Sequence, residues 1–330
     1  MSKITEPLSR GRLQLHNRLV LPPMATAKAG ASGAMTQELI DYYDEKSAGG
    51  ALGLVITEHC YITLQGRNRV GQPSIAEDET VEGWRRLVDV LHRNGSKAVL
   101  QMNHSGGATT SEATGLETVA PSAIASPIGP GETPRPLTAP EIATIAEQFA
   151  SAARRVAQAG FDGVEIHAAH GYLLNQFYSP LTNERSDEYG GDVTGRIRAH
   201  LEVIAAVRAA VGDDFPVLLR LGAVDYLEGG SRMEDATRAA AEFERAGVDL
   251  LDITGGLSGY VRPGHDEPGY FGDVTEAIKR VVSIPVILTG GITEPHQAEE
   301  LLVQGKADLI GVGRAMLKDS TWAQRAVQSK

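Results

Sequence analysis

Short apolar runs alternate with longer amphipathic segments from one end of the chain to the other. Eight runs are apolar on both faces and predict strands at 19–25, 52–58, 97–103, 163–169, 217–223, 249–256, 285–291 and 308–314. Segments with helical periodicity lie between them, at 82–94, 141–159, 196–211, 233–246 and 296–304. Strands buried on both faces belong to a parallel sheet covered by helices, and eight such units close into a (β/α)₈ TIM barrel. An open doubly wound sheet is the alternative.

Three segments interrupt this repeat within what reads as one domain, 1–330. Residues 104–139, rich in Gly, Pro, Ser and Thr, are too long for an ordinary connection and predict a loop folded over the barrel mouth. Residues 171–195 form a second long insertion. Ahead of the first strand, GRLQLHNRLV alternates apolar and polar residues and predicts an N-terminal β-hairpin, with His16-Asn17 at a turn, that plugs the barrel bottom.

Composition restricts the possible partners. The formal net charge is −11 and no block is rich in Lys or Arg, which argues against nucleic acid and against an anionic membrane surface. A single cysteine, Cys60, allows no internal disulfide and no cysteine-cluster metal or iron–sulfur site. No segment resembles a signal peptide or a membrane span. These features predict a cytoplasmic protein.

The last two predicted strands end in glycine-rich turns. Gly290 and Gly291 follow the seventh strand, and Gly313 with Arg314 follows the eighth. Glycines let backbone N–H groups approach an anion, and guanidinium matches phosphate oxygens with a fork of donors. The turns therefore predict a phosphate site, with simple tight turns as the alternative.

Two polar residues interrupt otherwise apolar strands. Arg220 lies in VLLRLGA and Gln101 in KAVLQMN, and a buried charge without a partner is costly. One solution is a salt bridge inside the barrel, for instance from Arg220 to Glu58 or Glu165. The other is a ligand with acceptors and an amide pattern, which the pyrimidine edge of a flavin has.

The stretch HAAHGYLLNQFYSP, 167–180, places two histidines and a tyrosine at the end of the fourth strand. A zinc site is one interpretation, with Glu165 as a third ligand to His167 and His170. Two histidines hydrogen-bonded to the backbone are another. Tyr172 favours a third: two imidazoles that bind a carbonyl or nitro oxygen, with a phenol that delivers a proton, make a reductase site.

The block HAAHGYLLNQFYSPLTNERSDEYGG, 167–191, resembles the signature of the Old Yellow Enzyme family, the FMN-dependent NADH:flavin oxidoreductases or ene-reductases. Further matching blocks are PPMA at 22–25, QMNHSGG, APSAI, TGGI and GVGR, so the resemblance covers nearly the whole chain. It implies a single FMN-binding barrel without a metal site.

The resemblance also implies a role for each matching residue. Pro22, Pro23, Met24, Ala25 and His59 would line the isoalloxazine ring; Gln101 and Arg220 would hold its pyrimidine edge; and Gly290, Gly291, Gly313 and Arg314 would hold the phosphate. Arg220 would stabilise the negative charge that builds up near N1 on reduction. His167 and His170 would bind the substrate oxygen, and Tyr172 would donate the proton.

The implied reaction uses NADH or NADPH to reduce the C=C bond of activated alkenes such as enones, nitroalkenes or dienoyl thioesters, with hydride from flavin N5 and a proton from Tyr172. The resemblance further implies a homo-oligomer. Two functions compete: a flavin-free lyase or isomerase acting on a phosphorylated substrate, and a flavin-binding protein without turnover.

Some positions depart from the family pattern. Several members have Cys or Thr where this chain has Ala25, so the contact to the flavin carbonyl edge is either lost or supplied by Thr26. Lys28 replaces a tyrosine of one bacterial subgroup. Larger relatives carry an iron–sulfur cluster, whose cysteines are missing here, so electrons are expected directly from the nicotinamide. The segment 255–270 is expected to shape the substrate pocket through Tyr260, Arg262 and His265.

Overall fold

The computed structural model describes residues 2–10, 13–129 and 131–328, and a closed barrel of eight parallel strands forms its centre. In chain order, the strands are β1 (Leu8–Arg10), β2 (Leu13–Leu15), β3 (Leu19–Leu21), β4 (Leu54–Tyr61), β5 (Lys97–Asn103), β6 (Val119–Ala120), β7 (Arg135–Pro136), β8 (Gly163–Ala168), β9 (Val217–Val224), β10 (Leu250–Gly255), β11 (Val286–Leu288) and β12 (Leu309–Gly311). The barrel runs β3-β4-β5-β8-β9-β10-β11-β12 and closes between β12 and β3. The prediction of a TIM barrel is confirmed.

Helices follow the barrel strands around its outside. They are α1 (Gln37–Ser47), α2 (Val81–Arg93), α3 (Ser111–Thr114), α4 (Ala139–Gln158), α5 (Leu173–Tyr178), α6 (Val193–Arg196), α7 (Arg198–Val211), α8 (Met233–Arg245), α9 (Gly272–Lys279), α10 (Pro295–Val303), α11 (Arg314–Lys318) and α12 (Trp322–Gln328). All five predicted helices are present with ends within two residues. Helices α1 and α9 were not predicted, and neither were α11 and α12, which follow the last strand.

Strand ends differ from the prediction for reasons that lie in the backbone. The first barrel strand stops at Leu21, because Pro22 and Pro23 have no N–H to continue the ladder. The seventh stops at Leu288, ahead of Gly290 and Gly291, whose φ angles are 103° and 70°. The predicted span 285–291 was therefore too long.

The barrel bottom is filled by apolar side chains. Strands β1 and β2 pair antiparallel, with Leu8 opposite Leu15, which confirms the predicted hairpin. His16 and Asn17 follow β2 instead of forming the hairpin turn, and the connecting residues 11–12 lie outside the described residues. The hairpin leucines pack into one buried cluster with inward residues of the barrel: Leu8, Leu13, Leu15, Val20, Leu54, Ile56, Val99, Leu218, Leu250, Ile287 and Leu309.

Three aspartates repeat one arrangement at this lower end. Asp162, Asp249 and Asp308 each precede a strand, and their carboxylates accept backbone N–H groups from Ala98, Val217 and Val286 at 2.9, 2.9 and 3.0 Å. The same carboxylates bind Lys97, Arg208 and Lys279 at 2.7, 2.6 and 2.9 Å. Each aspartate thus ties the start of its own strand to that of a neighbour.

The two insertions meet at the opposite end of the barrel. The segment after β5 includes α3 and the short pair β6–β7, and the segment after β8 includes α5 and α6. Gln176 of α5 joins them, because its Oε1 accepts the N–H of Gly107 at 3.0 Å and its Nε2 donates to the Ser105 carbonyl at 3.1 Å. Gly106 has a φ of 59°, and a Cβ there would lie 2.4 Å from Gln176 Oε1. Among the described residues, no helix is long and apolar enough to cross a membrane.

Candidate active site

Four aromatic side chains cluster at the carboxyl end of the barrel. The ring centroids of His167 and His170 are 5.1 Å apart, and that of Tyr172 is 5.1 Å from that of His167. His59, at the end of β4, lies 5.2 Å from Tyr172 and 6.1 Å from His167. The structure therefore brings together all four residues that the sequence placed in this part of the site.

Local backbone geometry sets the position of His170. Its φ angle is 57°, in the left-handed region that side chains other than glycine rarely adopt. The next residue, Gly171, is also left-handed, and its N–H donates to Asn175 Oδ1 at 2.7 Å. The turn directs His170 toward β10, where its Nε2 lies 3.0 Å from the Thr254 hydroxyl. Strained backbone of this kind is concentrated at functional sites.

A glutamine that the sequence reasoning missed orients His59. Gln72 Nε2 donates to His59 Nδ1 at 2.7 Å, so Nδ1 is the acceptor nitrogen and the proton of the neutral ring lies on Nε2. Both residues are buried. Gln72 lies in an irregular segment, where no periodicity marks it as functional.

Burial controls protonation throughout the cluster. It lowers the pKa of His59 to about 4, helped by the positive charges of Arg69 and Arg220. It also brings the pKa of His167 and of His170 well below the ordinary histidine range. In contrast, burial raises the pKa of the Tyr172 phenol, against the opposing charge of Arg69. At neutral pH the imidazoles are thus uncharged hydrogen-bonding groups, and the phenol keeps its proton.

Below this cluster the barrel interior is charged. Gln101 Nε2 donates to Glu165 Oε1 at 2.7 Å, and Arg220 Nε lies 3.1 Å from Asp252 Oδ2. The sequence alternative of a salt bridge from Arg220 to Glu58 or Glu165 was wrong about the partner, which is Asp252 on the adjacent strand. Asp252 interrupts an apolar strand as Arg220 does, so the same signal could have found it.

Several polar atoms in the interior are buried without a hydrogen-bond partner in the part of the chain that the structure describes. They include Gln101 Oε1, His167 Nδ1 and Arg220 Nε. Buried polar groups are nearly always paired, so atoms of this kind mark a place where a ligand is expected to bind. An amide oxygen and a guanidinium suit the alternating donors and acceptors of a flavin pyrimidine ring.

The glycine turns lie beside the end of β3. A Cβ on Gly313 would lie 2.6 Å from Met24 Sδ, so any other residue there would require the Met24 side chain to shift. Arg314 Nη2 donates to the Tyr270 hydroxyl at 3.0 Å, and its guanidinium carbon lies 5.9 Å from the centre of the Tyr260 ring. The ring of Tyr270 also covers Gly290 and Gly291. Tyr270 is therefore a second residue that the sequence reasoning missed.

The departures at 25–28 have structural consequences. The Thr26 hydroxyl donates to Glu58 Oε1 at 2.5 Å, so its proton is committed within the protein. Of the two alternatives for the contact at Ala25, its loss or its supply by Thr26, this hydrogen bond favours loss. Lys28 forms an ion pair with Glu38 on α1.

The segment after β10 is tied down by a buried aspartate. Asp225 accepts hydrogen bonds from the Ser179 hydroxyl at 2.6 Å, the Ser231 N–H at 2.8 Å and the Leu257 N–H at 2.9 Å. Three segments at the mouth thus share one anchor, which the sequence reasoning also missed.

The three candidate selectivity residues of this segment differ in surroundings. Arg262 pairs with Asp273 at 2.7 Å, and His265 with Glu267 at 2.6 Å. Tyr260 is 63% exposed, and its ring centroid lies 6.5 Å from that of His170. Of the three, Tyr260 is the one beside the histidine cluster. Within the described ranges, no group of three or more His, Cys, Asp or Glu side chains is arranged to hold a metal ion.

Comparison with known proteins agrees with this geometry. The NADH:flavin oxidoreductase / NADH oxidase family matches residues 3–330. The chain is 40% identical over 326 residues to an NADH oxidase of Thermoanaerobacter brockii, covering 97% of this chain and 50% of that protein. It is 39% identical over 319 residues to an NADPH dehydrogenase of Clostridium acetobutylicum, covering 96% and 92%. The structure of an Old Yellow Enzyme homologue from Zymomonas mobilis superposes with a TM-score of 0.88 at 28% identity, covering 99% of this chain and 92% of that chain.

Fold and site together define a flavin-binding barrel of the oxidoreductase class. The chain belongs to the NADH:flavin oxidoreductase / NADH oxidase family, that of the Old Yellow Enzyme, in which FMN is the cofactor and NADH or NADPH the reductant. The chain spans about half the length of the Thermoanaerobacter relative, whereas it spans 92% of the Clostridium one.

Proposed function

We propose that this protein is an ene-reductase that uses NADH or NADPH, through FMN, to reduce the C=C bond of activated alkenes. The observation that carries the proposal is the cluster of His167, His170 and Tyr172 above a barrel interior in which Gln101 Oε1 has no hydrogen-bond partner among the described residues. Bound FMN supplies the two-electron redox chemistry between the nicotinamide and the substrate.

Residues of the barrel hold the cofactor in this proposal. Gln101 and Arg220 bind the pyrimidine edge, since an amide offers an acceptor and a guanidinium offers donors, and Gln101 Oε1 has no hydrogen-bond partner among the described residues. Residues 22–25 and His59 line the ring. Gly290, Gly291, Gly313 and Arg314 bind the phosphate, because backbone N–H groups at glycine turns and a guanidinium suit an anion.

The substrate is activated by neutral donors. His167 and His170 donate hydrogen bonds to the oxygen of its electron-withdrawing group, which draws electrons from the double bond and makes Cβ electrophilic. Tyr172 then donates its proton to Cα. Burial raises the pKa of Tyr172, so the phenol holds its proton at neutral pH and has it available for this step.

Anaerobic stopped-flow kinetics of the purified holoprotein tests the proposal. The protein is expected to contain FMN, to be reduced by NADH or NADPH, and to be reoxidised by 2-cyclohexenone. A Tyr172→Phe change should slow reoxidation by about 10²–10⁴-fold, the usual contribution of a positioned general acid, while reduction by the nicotinamide stays within a few-fold.

Tyr189→Phe is the matched control. The Tyr189 hydroxyl lies in the same insertion but donates to Glu202 on the outer helix α7, so reoxidation should be unchanged. A protein without FMN would contradict the proposal and favour a lyase or isomerase. Bound FMN that no enone, nitroalkene or dienoyl thioester reoxidises would favour a flavin-binding protein without turnover.

A further inference from the structure

Three ionisable side chains lie in the barrel interior on the neighbouring strands β8, β9 and β10. The strand register places Arg220 on β9 beside Asp252 on β10, and Glu165 on β8 beside Gln101 on β5. Arg220 is 5% exposed, and both carboxyl groups are fully enclosed. The Arg220 Nε and Asp252 Oδ2 atoms are 3.1 Å apart, outside hydrogen-bond geometry.

This interior can hold only a balanced set of charges. Removing an ion from water costs several kcal/mol unless an opposite charge compensates, and one guanidinium compensates one carboxylate. The contacts decide which carboxyl group that is, because Asp252 contacts Arg220 whereas Glu165 accepts only the amide N–H of Gln101. Burial raises the pKa of Asp252 to about 6, and burial together with the charge of Asp252 raises the pKa of Glu165 well above its usual range. The one proton that the two carboxyl groups share near neutral pH therefore belongs to Glu165.

The arrangement differs from an ion pair that serves stability. Asp249 lies three residues before Asp252, immediately ahead of β10. It accepts hydrogen bonds from Arg208 Nη2 at 2.6 Å and from the Val217 N–H at 2.9 Å. By contrast, both Asp252 carboxylate oxygens and Glu165 Oε2 have no hydrogen-bond partner among the described residues. A buried ion pair whose hydrogen bonds are not all made contributes little to stability, so the presence of these charges needs another explanation.

We propose that Asp252 is the counter-charge of Arg220, that Glu165 remains a neutral acid beside it, and that this buried triad sets the reduction potential of FMN. The inference rests on the proposed function, in which Arg220 binds the pyrimidine edge. Charge near flavin N1 tunes the electronics of the ring. A positive charge there favours the reduced, anionic flavin, and Asp252 limits how much of that charge Arg220 presents. Asp252 acts through Arg220 and is thus a positioning residue.

The midpoint potential of FMN in the holoprotein tests the triad. Asp252→Asn keeps the side-chain shape but removes the counter-charge, so the ratio of reduced to oxidised flavin at a fixed potential should rise at least tenfold, about 30 mV for a two-electron couple. Glu165→Gln should shift it less than threefold, because an amide resembles a neutral acid. Asp249→Asn, at the lower end of the barrel, should leave the potential unchanged.

Arg220→Gln tests the placement of FMN beside Arg220 separately from the role of the triad. It should lower the ratio at least tenfold, and no shift would refute the placement of FMN beside Arg220 together with the triad. If Arg220→Gln lowers the potential but Asp252→Asn leaves it unchanged, the triad alone is refuted. A fall in Asp252→Asn would also refute it, because Asp252 would then only aim the guanidinium. A shift in Glu165→Gln as large as that in Asp252→Asn would mean that Glu165 is ionised and would refute the assignment of the proton.

Infrared difference spectroscopy gives a second test that does not depend on the Asp252 variant folding. The spectrum of wild-type holoprotein minus Glu165→Gln at neutral pH should contain the C=O stretch of a protonated carboxylic acid. A carboxylate band in its place would overturn the proposal.

Discussion

The two ends of the barrel treat buried polar groups in opposite ways. At the bottom, Asp162, Asp249 and Asp308 each bind a backbone N–H and a basic side chain, and the rest of the space is filled by leucine, isoleucine and valine. At the mouth, Asp252, Glu165 and His167 keep buried polar atoms without a hydrogen-bond partner among the described residues. The three aspartates at the bottom are saturated, whereas these groups nearer the mouth are not.

This difference separates stability from chemistry. Buried polar groups whose hydrogen bonds are made do not destabilise the fold. Unpaired buried polar atoms raise the free energy of the folded protein, and hydrogen bonds to a bound ligand can offset that cost. Backbone strain follows the same division, because Ala27, His170 and Tyr226, the non-glycine residues with left-handed φ among those described, all follow carboxyl ends of barrel strands. Changes at the mouth should therefore alter turnover, and changes at the bottom should alter the free energy of unfolding.

In this comparison of the two ends, the larger effect on turnover is expected from His170 at the mouth. Replacing it by alanine removes a hydrogen-bond donor to the substrate oxygen, and loss of one such donor typically costs about 10²–10³-fold in rate. We expect His170→Ala to slow reoxidation by 2-cyclohexenone by this factor in stopped-flow traces, with FMN still bound. Undiminished turnover would contradict the assigned role.

His170→Asn controls for the backbone. Asparagine accepts left-handed φ angles more readily than alanine and keeps a side-chain N–H donor. Its rate should therefore lie between those of wild type and His170→Ala. Equal losses in the two variants would point to disturbance of the 168–172 turn instead of loss of a hydrogen bond.

The same division governs how much the sequence could predict. The eight barrel strands and five helices were predictable, because burial on both faces and helical periodicity leave a direct record in the order of residues. Helix α1 was missed because the apolar part of its buried face is confined to Leu39, Ile40 and Tyr43, whereas Lys46 and Ser47 on the same face are polar. The residues at which the barrel strands end are set by Pro22 and by the glycine turns, so these boundaries were predicted less well.

The site was predictable only where a local signal exists. His167, His170 and Tyr172 are close in sequence, and Arg220 is conspicuous in an apolar strand. Their partners depend on closure of the barrel: Asp252 meets Arg220 through strand register, and Gln72 reaches His59 from an irregular segment. Thr26 looked like a free donor until the fold placed Glu58 beside it.

At the bottom, Leu15 offers the matching stability test. Its side chain is 2% exposed and belongs to the cluster that fills the lower barrel. Leu15→Ala should lower the free energy of unfolding by about 2–5 kcal/mol in urea titrations, while turnover per bound FMN is unchanged. Leu116→Ala, at a 44% exposed position, should change stability by less than about 0.5 kcal/mol. Loss of turnover per FMN in Leu15→Ala would break the division between the two ends.

The smallest effect concerns pH, and it comes from a histidine beneath the insertion after β8. His200 on α7 is fully buried and stacks on Phe243 with ring centroids 5.4 Å apart; burial lowers its pKa to about 3. Between the ordinary histidine pKa of about 6.5 and this value the unfolded chain binds a proton that the folded chain does not, so stability falls as pH is lowered through this window. The pKa of Asp162 is lowered from its ordinary value, so its contribution to stability is lost only below about pH 4. The lower end of the barrel therefore contributes little to the pH dependence of stability between about pH 6 and pH 4.5.

His200→Leu should make the free energy of unfolding less dependent on pH by about 1.4 kcal/mol per pH unit, in urea titrations between about pH 6 and pH 4.5. Parallel curves for the two proteins would show that His200 is protonated in the folded state.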